Sequence, residues 1–233
     1  MAYRFYCPDV EEGKVTKLES EQVRHLKVLA ISKSESINLF DGKGKEFTAE
    51  ILDLKTGEIK IKKQVQAALE PKVRVTIASA VPKLTRFNIL VEKVSELGAL
   101  NIVPILCERC VVKPKKGKIQ RAQRIAIEAS AQSKRATLTT IENVVELEQL
   151  LARAKEHALC MICTPAPEAK PLHEVYKDEK NVLVLIGPEG GFTEEERKKA
   201  LNAGFKPVSL GPTTLRIETA AITAIAQIRA LNP

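Results

Sequence analysis

The sequence predicts an α/β protein, with a mostly parallel sheet from about residue 73 onward and a small β-rich domain before it. Three observations carry this. Short apolar runs alternate with helical periodicity after Pro71; turn-bounded strand patterns dominate before about Leu69; and two of the later strands each end in a glycine-proline turn that enters a helix. The chain has 233 residues, long enough to bury a substantial core without staples. The domains expected are residues 1–70 and 73–233.

In the first domain, strands are expected at Arg4–Tyr6, Ser36–Phe40, Glu46–Leu54 and Glu58–Gln66, with Asp41-Gly42-Lys43-Gly44 and Lys55-Thr56-Gly57 as turns. One helix follows Ser20, read as its N-cap, with Val23, Leu26 and Leu29 inward. In the second domain, strands are expected at Val73–Ala78, Ile102–Leu106, Thr137–Ile141, Leu159–Cys163, Val182–Ile186 and Pro207–Ser209. Leu84, Phe87, Leu90, Val91, Val94 and Leu97 form one helical face ended by Gly98. A helix over Lys118–Arg135 turns Ile125, Ala126 and Ala129 inward. Its outer stripe is Arg121, Arg124, Glu128, Gln132 and Arg135. The last helix, Leu215 to Leu231, is apolar nearly all round, which places it centrally or between subunits.

Composition removes several function classes. Hydrophobic content of 44% with 28% charged residues is that of a folded domain, not of a disordered chain. No apolar run approaches a membrane span, and the start lacks a secretory h-region, so a cytoplasmic protein is expected. Gly-x-Ser-x-Gly and His-Glu-x-x-His are absent, which disfavours the common hydrolases. Cys107-x2-Cys110 and Cys160-x2-Cys163 have zinc-like spacing, but both pairs are read in strands, where i and i+3 face opposite ways. No metal is expected; the thiols read as small hydrophobes.

Net charge is +8, and it is uneven. Residues 1–72 hold 13 Lys and Arg against 12 Asp and Glu, leaving +7 for the rest. Cys107–Arg135 alone has nine basic residues against Glu108 and Glu128. Such a cluster is the footprint of a polyanion surface or of a solvated basic helix face.

The sharpest local signal is Val182–Ile186 running into Gly187-Pro188-Glu189-Gly190-Gly191-Phe192-Thr193 and then a helix. Thr193 and Glu196 have capping-box spacing, and the glycines let a ligand approach the main chain. Parallel sheets bind ligands beyond their carboxyl ends. Glu194, Glu195 and Glu196 would repel a phosphate from that helix start, and both Walker and Gly-x-Gly-x-x-Gly patterns are absent, so a ligand without phosphate fits better. The second loop, Leu210-Gly211-Pro212-Thr213-Thr214-Leu215-Arg216-Ile217-Glu218-Thr219-Ala220, is expected on a neighbouring strand end as the other wall of one pocket.

These residues resemble the RsmE-type SPOUT methyltransferases, which methylate uridine N3 in 16S ribosomal RNA. The resemblance rests on Gly187–Gly191, on Leu210-Gly211 with Leu215-Arg216-x-Glu218-Thr219-Ala220, on Glu92-Lys93 with Glu96-Leu97-Gly98, on Glu128-Ala129 with Gln132 and Arg135, and on His25-Leu26-x-Val28-Leu29. It spans residues 25 to 220 and departs at Ala30 and Cys110, where the family usually has Arg and Ser. It implies an N-terminal PUA-like β-barrel, a C-terminal SPOUT domain with a trefoil knot, S-adenosylmethionine as cofactor, and a homodimer.

On that resemblance, Leu185, Gly187, Pro188, Glu189, Gly190, Gly191, Leu210, Gly211, Leu215, Thr219 and Ala220 hold the cofactor. Arg216 or Arg135 stabilises the uracil oxygen, and Glu218 or Glu92 takes the N3 proton, unless solvent does. His25, Lys83, Arg109, Lys113, Lys115, Lys116, Lys118, Arg121 and Arg124 contact ribosomal RNA or the small ribosomal subunit, through phosphates rather than bases. Aromatic content of 4% leaves little for stacking. The alternatives are a SPOUT enzyme with another RNA target, such as a ribose 2′-oxygen, and a catalytically silent RNA-binding assembly factor.

Overall fold

The computed structural model describes residues 3–29, 31, 35–68, 70–83 and 85–232. Leu69, Leu84 and Ala30, each used in the reading above, lie outside them. The chain divides into two compact units: Met1–Glu70 with Ser130–Leu138, and Pro71–Ala129 with Thr139–Pro233.

The first unit holds β1 (Arg4–Tyr6), β2 (Val15–Lys17), α1 (Ser20–Val28), β3 (Ser36–Phe40), β4 (Glu46–Asp53) and β5 (Glu58–Val65). They form a half-barrel sheet in the order β1-β3-β4-β5-β2, parallel between β1 and β3 and antiparallel elsewhere. Register shifts between β4 and β5 bend it. The core comprises Leu26, Ile37, Leu39, Phe47, Ile51, Ile59 and Ile61. β2 carries a single half-buried residue in three, too weak an alternation to be read as a strand. The N-cap of α1 is Glu19, in a capping box with Gln22, and Ser20 is the first helical residue.

The segment 130–138 is the departure from the expected division. Arg4 explains why it folds with this unit. Its guanidinium forms a bidentate pair with Glu46 at 2.9 and 3.0 Å and lies over the Phe40 ring at 5.1 Å. It also donates to the carbonyls of Ser130, Ala131 and Arg135, at and just beyond the end of a helix, and so ties that segment to β1.

The second unit contains β6 (Arg74–Ala80), α2 (Arg86–Glu96), β7 (Asn101–Leu106), α3 (Lys116–Gln132, whose last three residues belong to the first unit), β8 (Thr140–Ile141), β9 (Val145–Glu146) and α4 (Leu147–Ala152). These are followed by β10 (Leu159–Cys163), β11 (Lys170–Pro171), α5 (Leu172–Val175), β12 (Asn181–Ile186), α6 (Glu194–Asn202), β13 (Lys206–Ser209) and α7 (Ile217–Ala230). The sheet order is β11-β13-β10-β12-β6-β7-β8, with β9 also on β7, and every one of these pairings is parallel. β6 and β12 are buried at consecutive positions, so both faces of the sheet are covered. α7 packs on α2, α5, β6 and β12, while α4 packs on α6 and β7. Ile217, Ala220, Ala221, Ala224, Ile225 and Ile228 are buried within the one chain, so this face of α7 needs no second subunit to cover it. No helix among the described residues is long and apolar enough to cross a membrane.

Candidate methyl-donor site and basic surface

The carboxyl ends of β12 and β13 lie on the same edge of the sheet, because both run parallel to β10. They are not neighbours, as the sequence had suggested: β10 lies between them. A third loop, Thr164-Pro165-Ala166-Pro167, therefore stands at the same sheet edge, tied down by the Thr164 N–H donating to the Val208 carbonyl at 3.1 Å. No sequence motif marked it, since two prolines after a strand are common loop chemistry.

The first loop is shaped by close approach rather than by three flexible glycines. A side-chain carbon on Gly187 would meet the Phe192 ring at 2.8 Å, and Gly191 alone of the three has left-handed backbone, φ 68°. Gly190 sits against the Arg109 side chain, whose Nη1 donates to the Gly190 carbonyl at 2.9 Å. Below the loop, Thr193 caps α6. Glu196 is 7% exposed; its Oε2 accepts from the Thr193 N–H at 2.8 Å, and its Oε1 accepts from the Glu108 N–H at 2.7 Å. The cap thus ties the loop after β12 to the loop after β7. Leu185 and Pro188 are buried, whereas Glu189, Gly190 and Gly191 are exposed.

In the second loop, Gly211 has φ 141°, and Ser209 Oγ bridges its N–H and carbonyl. Leu210 and Leu215 are half-buried, Arg216 and Thr219 are exposed, and Ala220 is buried. Arg216 is the N-cap of α7, and its carbonyl accepts from the Ala220 N–H at 2.8 Å. Glu218, in the first turn of α7, is 8% exposed. Its Oε1 lies 3.8 Å from Arg86 Nε at the start of α2, and its Oε2 is buried with no partner among the described residues. Sequence reasoning missed Arg86, because nothing local in α2 points to a carboxylate 132 positions away.

Other expected residues are differently placed. Arg135 is buried in the first unit with its Nε on Glu70 at 3.1 Å. The reason is the end of α3: Lys134 turns to φ 61° and the Arg135 N–H reaches back to the Ser130 carbonyl, so Arg135 leaves the outer stripe. Glu92 pairs with Lys93 at 2.8 Å. Lys118 points inward, its Nζ donating to the Pro82 carbonyl at 3.3 Å and lying 5.5 Å above the Phe87 ring; burial pushes its pKa down. Lys113, Lys115, Lys116, Arg121, Arg124, Lys83 and His25 are exposed, His25 with its ring edge-on to Phe5. Cys107 and Cys110 are not in a strand but close a turn after β7, so the face argument against a shared metal holds only for Cys160 and Cys163 in β10.

Two family models match: an RNA methyltransferase domain over residues 69–229 and an RNA methyltransferase PUA domain over residues 18–64. The chain belongs to the ribosomal RNA small subunit methyltransferase E family. The curated member from Synechocystis is 35% identical, covering 99% of this chain and 78% of its own length. The member from Aquifex aeolicus is 31% identical over 95% of this chain and 96% of its own. A crystal structure of the Neisseria gonorrhoeae ribosomal RNA small subunit methyltransferase E bound to S-adenosylmethionine superposes with a TM-score of 0.90 at 33% identity, covering 99% and 98% of the two chains. The family makes the chain an RNA methyltransferase, and the silent assembly factor is set aside.

Proposed function

We propose that this chain transfers a methyl group from S-adenosylmethionine to N3 of a uridine in 16S ribosomal RNA, with the donor seated at the carboxyl ends of β10, β12 and β13. The observation that supports the donor's place is that the loops after three parallel strands share one sheet edge and expose backbone at Gly190, Gly191 and Gly211. Its chemistry suits that donor: the acidic start of α6 repels phosphate, and S-adenosylmethionine has none. Leu185, Gly187, Pro188, Glu189, Gly190 and Gly191 make one wall, and Leu210, Gly211, Leu215, Thr219 and Ala220 the other. When bound, the cofactor supplies an electrophilic methyl group on a sulfonium.

What the protein must add is a deprotonated N3 held in line with that methyl. Glu218 is the acceptor we assign, because its Oε2 is buried without a partner among the described residues while Arg86 lies beside Oε1. Arg216, exposed at the head of α7, stabilises the charge that reaches the uracil oxygens as N3 loses its proton. Arg135 and Glu92 have other partners and take no part in this reading. RNA phosphates lie along Lys113, Lys115, Lys116, Arg121 and Arg124, with Lys83 and His25 as further contacts. From the resemblance we also carry forward a homodimer, which sedimentation at micromolar concentration tests.

The deciding experiment is mass mapping of 16S ribosomal RNA from cells with and without the protein. N3-methyluridine lost at one position on deletion, and restored by the wild type but not by Glu218→Gln, is the expected result. A lost ribose 2′-O-methyl group instead would contradict the target assigned.

A further inference from the structure

Two thiols are left unused by methyl transfer. The Cys110 N–H donates to the Cys107 carbonyl at 3.0 Å, and the Cys107 N–H donates to Cys110 Sγ at 3.2 Å. A turn of this kind keeps its outer Cα atoms within about 7 Å, which overlaps the span of about 4.4–6.8 Å that a disulfide bridges. Both residues are half-buried. Cys107 also lines a cavity of about 140 Å³ with Glu108, Glu146, Glu195, Glu196 and Lys199, which opens beside the pair.

The remaining cysteines are less suited. Cys7 is buried, and burial pushes Cys160 up to about 11 and Cys163 up to about 12. Cys110 moves the other way, downward: hydrogen bonds from the Cys107 thiol and N–H outweigh burial and the nearby Glu196 and Glu189 carboxylates. Cys107 is pushed up in turn by the same hydrogen bond and by burial. The Cys107 N–H aimed at Cys110 Sγ favours charge on that sulfur, which makes Cys110 the assigned attacking thiol and Cys107 its resolving partner.

The turn is also wired to the proposed donor site. Between the two cysteines, the Glu108 N–H holds Glu196, which caps α6, and Arg109 holds the Gly190 carbonyl. A change in the turn therefore acts on both the cap and the glycine loop.

We propose that Cys107 and Cys110 are a reversible modification site that forms an intramolecular disulfide on reaction with a hydroperoxide, and that the disulfide loosens the hold of Arg109 on Gly190. In the first step the Cys110 thiolate attacks one peroxide oxygen. The O–O bond breaks, an S–OH forms, and the alkoxide, or hydroxide where the oxidant is hydrogen peroxide, leaves and is protonated to the alcohol or to water. Cys107 sulfur then attacks the sulfenic sulfur; the S–O bond breaks, the S–S bond forms, and the departing hydroxyl takes the Cys107 proton as water. Two thiols are oxidised and one peroxide is reduced. A disulfide closing so short a loop gains little from chain entropy, so a dithiol reverses it readily.

The effect on the donor site rests on the reading that it seats S-adenosylmethionine; the disulfide itself does not. The test treats the reduced full-length protein with hydrogen peroxide, then counts free thiols, maps peptide masses and titrates S-adenosylmethionine by calorimetry. Free thiols should fall from the five of the sequence by two, with the mass of two hydrogens lost from the pair and restored by dithiothreitol. Oxidised wild type should bind the donor roughly tenfold more weakly, while Cys110→Ser should bind equally before and after peroxide. Cys107→Ser should stop at a sulfenic acid that dimedone traps on Cys110. Absence of a 107–110 disulfide overturns the site, and a disulfide with unchanged donor affinity overturns the coupling. A disulfide in a protein that binds no donor even when reduced upholds the site and overturns the donor-site reading instead.

Discussion

Arg109 reaches from the loop after β7 to the loop after β12, its Nη1 donating to the Gly190 carbonyl at 2.9 Å. A residue expected on the RNA track thus braces the glycine loop. The contact is exposed, where one hydrogen bond contributes about 1 kcal/mol. Arg109→Ala should weaken S-adenosylmethionine binding several-fold in calorimetry and lower the unfolding free energy in urea by no more than about 1 kcal/mol. An unaltered donor affinity would mean the brace is idle.

Gly187 tests close approach. A Cβ there would sit 2.8 Å from the Phe192 ring, so Gly187→Val must displace that ring and the loop beyond it. Overpacking of this kind costs about 1–3 kcal/mol. Donor binding should fall below detection while RNA binding at low salt stays within about twofold. The double change with Phe192→Ala should recover part of the stability.

Glu196 serves two loops at once, through Thr193 and Glu108. Glu196→Ala removes the reciprocal half of the capping box and leaves the Glu108 N–H without its acceptor. Denaturant unfolding should show a loss of about 1–2 kcal/mol, and Glu196→Gln, which keeps an acceptor oxygen, should lose less.

Arg4 and Glu46 form an ion pair whose side chains are 8% and 7% exposed. Breaking one partner strands the other, at about 3–5 kcal/mol. Arg4→Ala should destabilise the first unit by that order and also free the 130–138 carbonyls, so hydrogen exchange should rise at residues 130–138. Protection unchanged there would show that the segment is held by other contacts.

For RNA, Lys113→Gln, Lys115→Gln and Lys116→Gln should each weaken binding without changing which RNA is preferred. Each phosphate contact removed should reduce the slope of log affinity against log salt by about 0.7–0.9. Lys118→Gln should leave that slope unchanged, because its ammonium faces Pro82 and Phe87.

Much of the fold was legible because its elements carry local signals. Leu159–Cys163 is an unbroken apolar run, and β10 has those very bounds; Thr193 and Glu196 announced a cap that is present. Strands of two residues, such as β8 and β11, are too short for any periodicity to register. Strand order is not a local property either, so β10 between β12 and β13 was hidden, and with it the third loop. Arg135 was misread because a helical stripe was continued past Lys134, whose left-handed backbone ends it. Cys107 and Cys110 were misread because an apolar run was extended beyond Leu106 into a turn. The pairing of Arg86 with Glu218 depends on α2 packing against α7, which only the assembled sheet brings about.

A crystal of the reduced protein soaked with S-adenosylmethionine bears on all of this most directly. Density for adenosine and methionine against the loops after β10, β12 and β13, with the methyl group facing Arg216 and Glu218, is the predicted result. Density elsewhere, or loops that stay empty at saturating donor, would contradict the account.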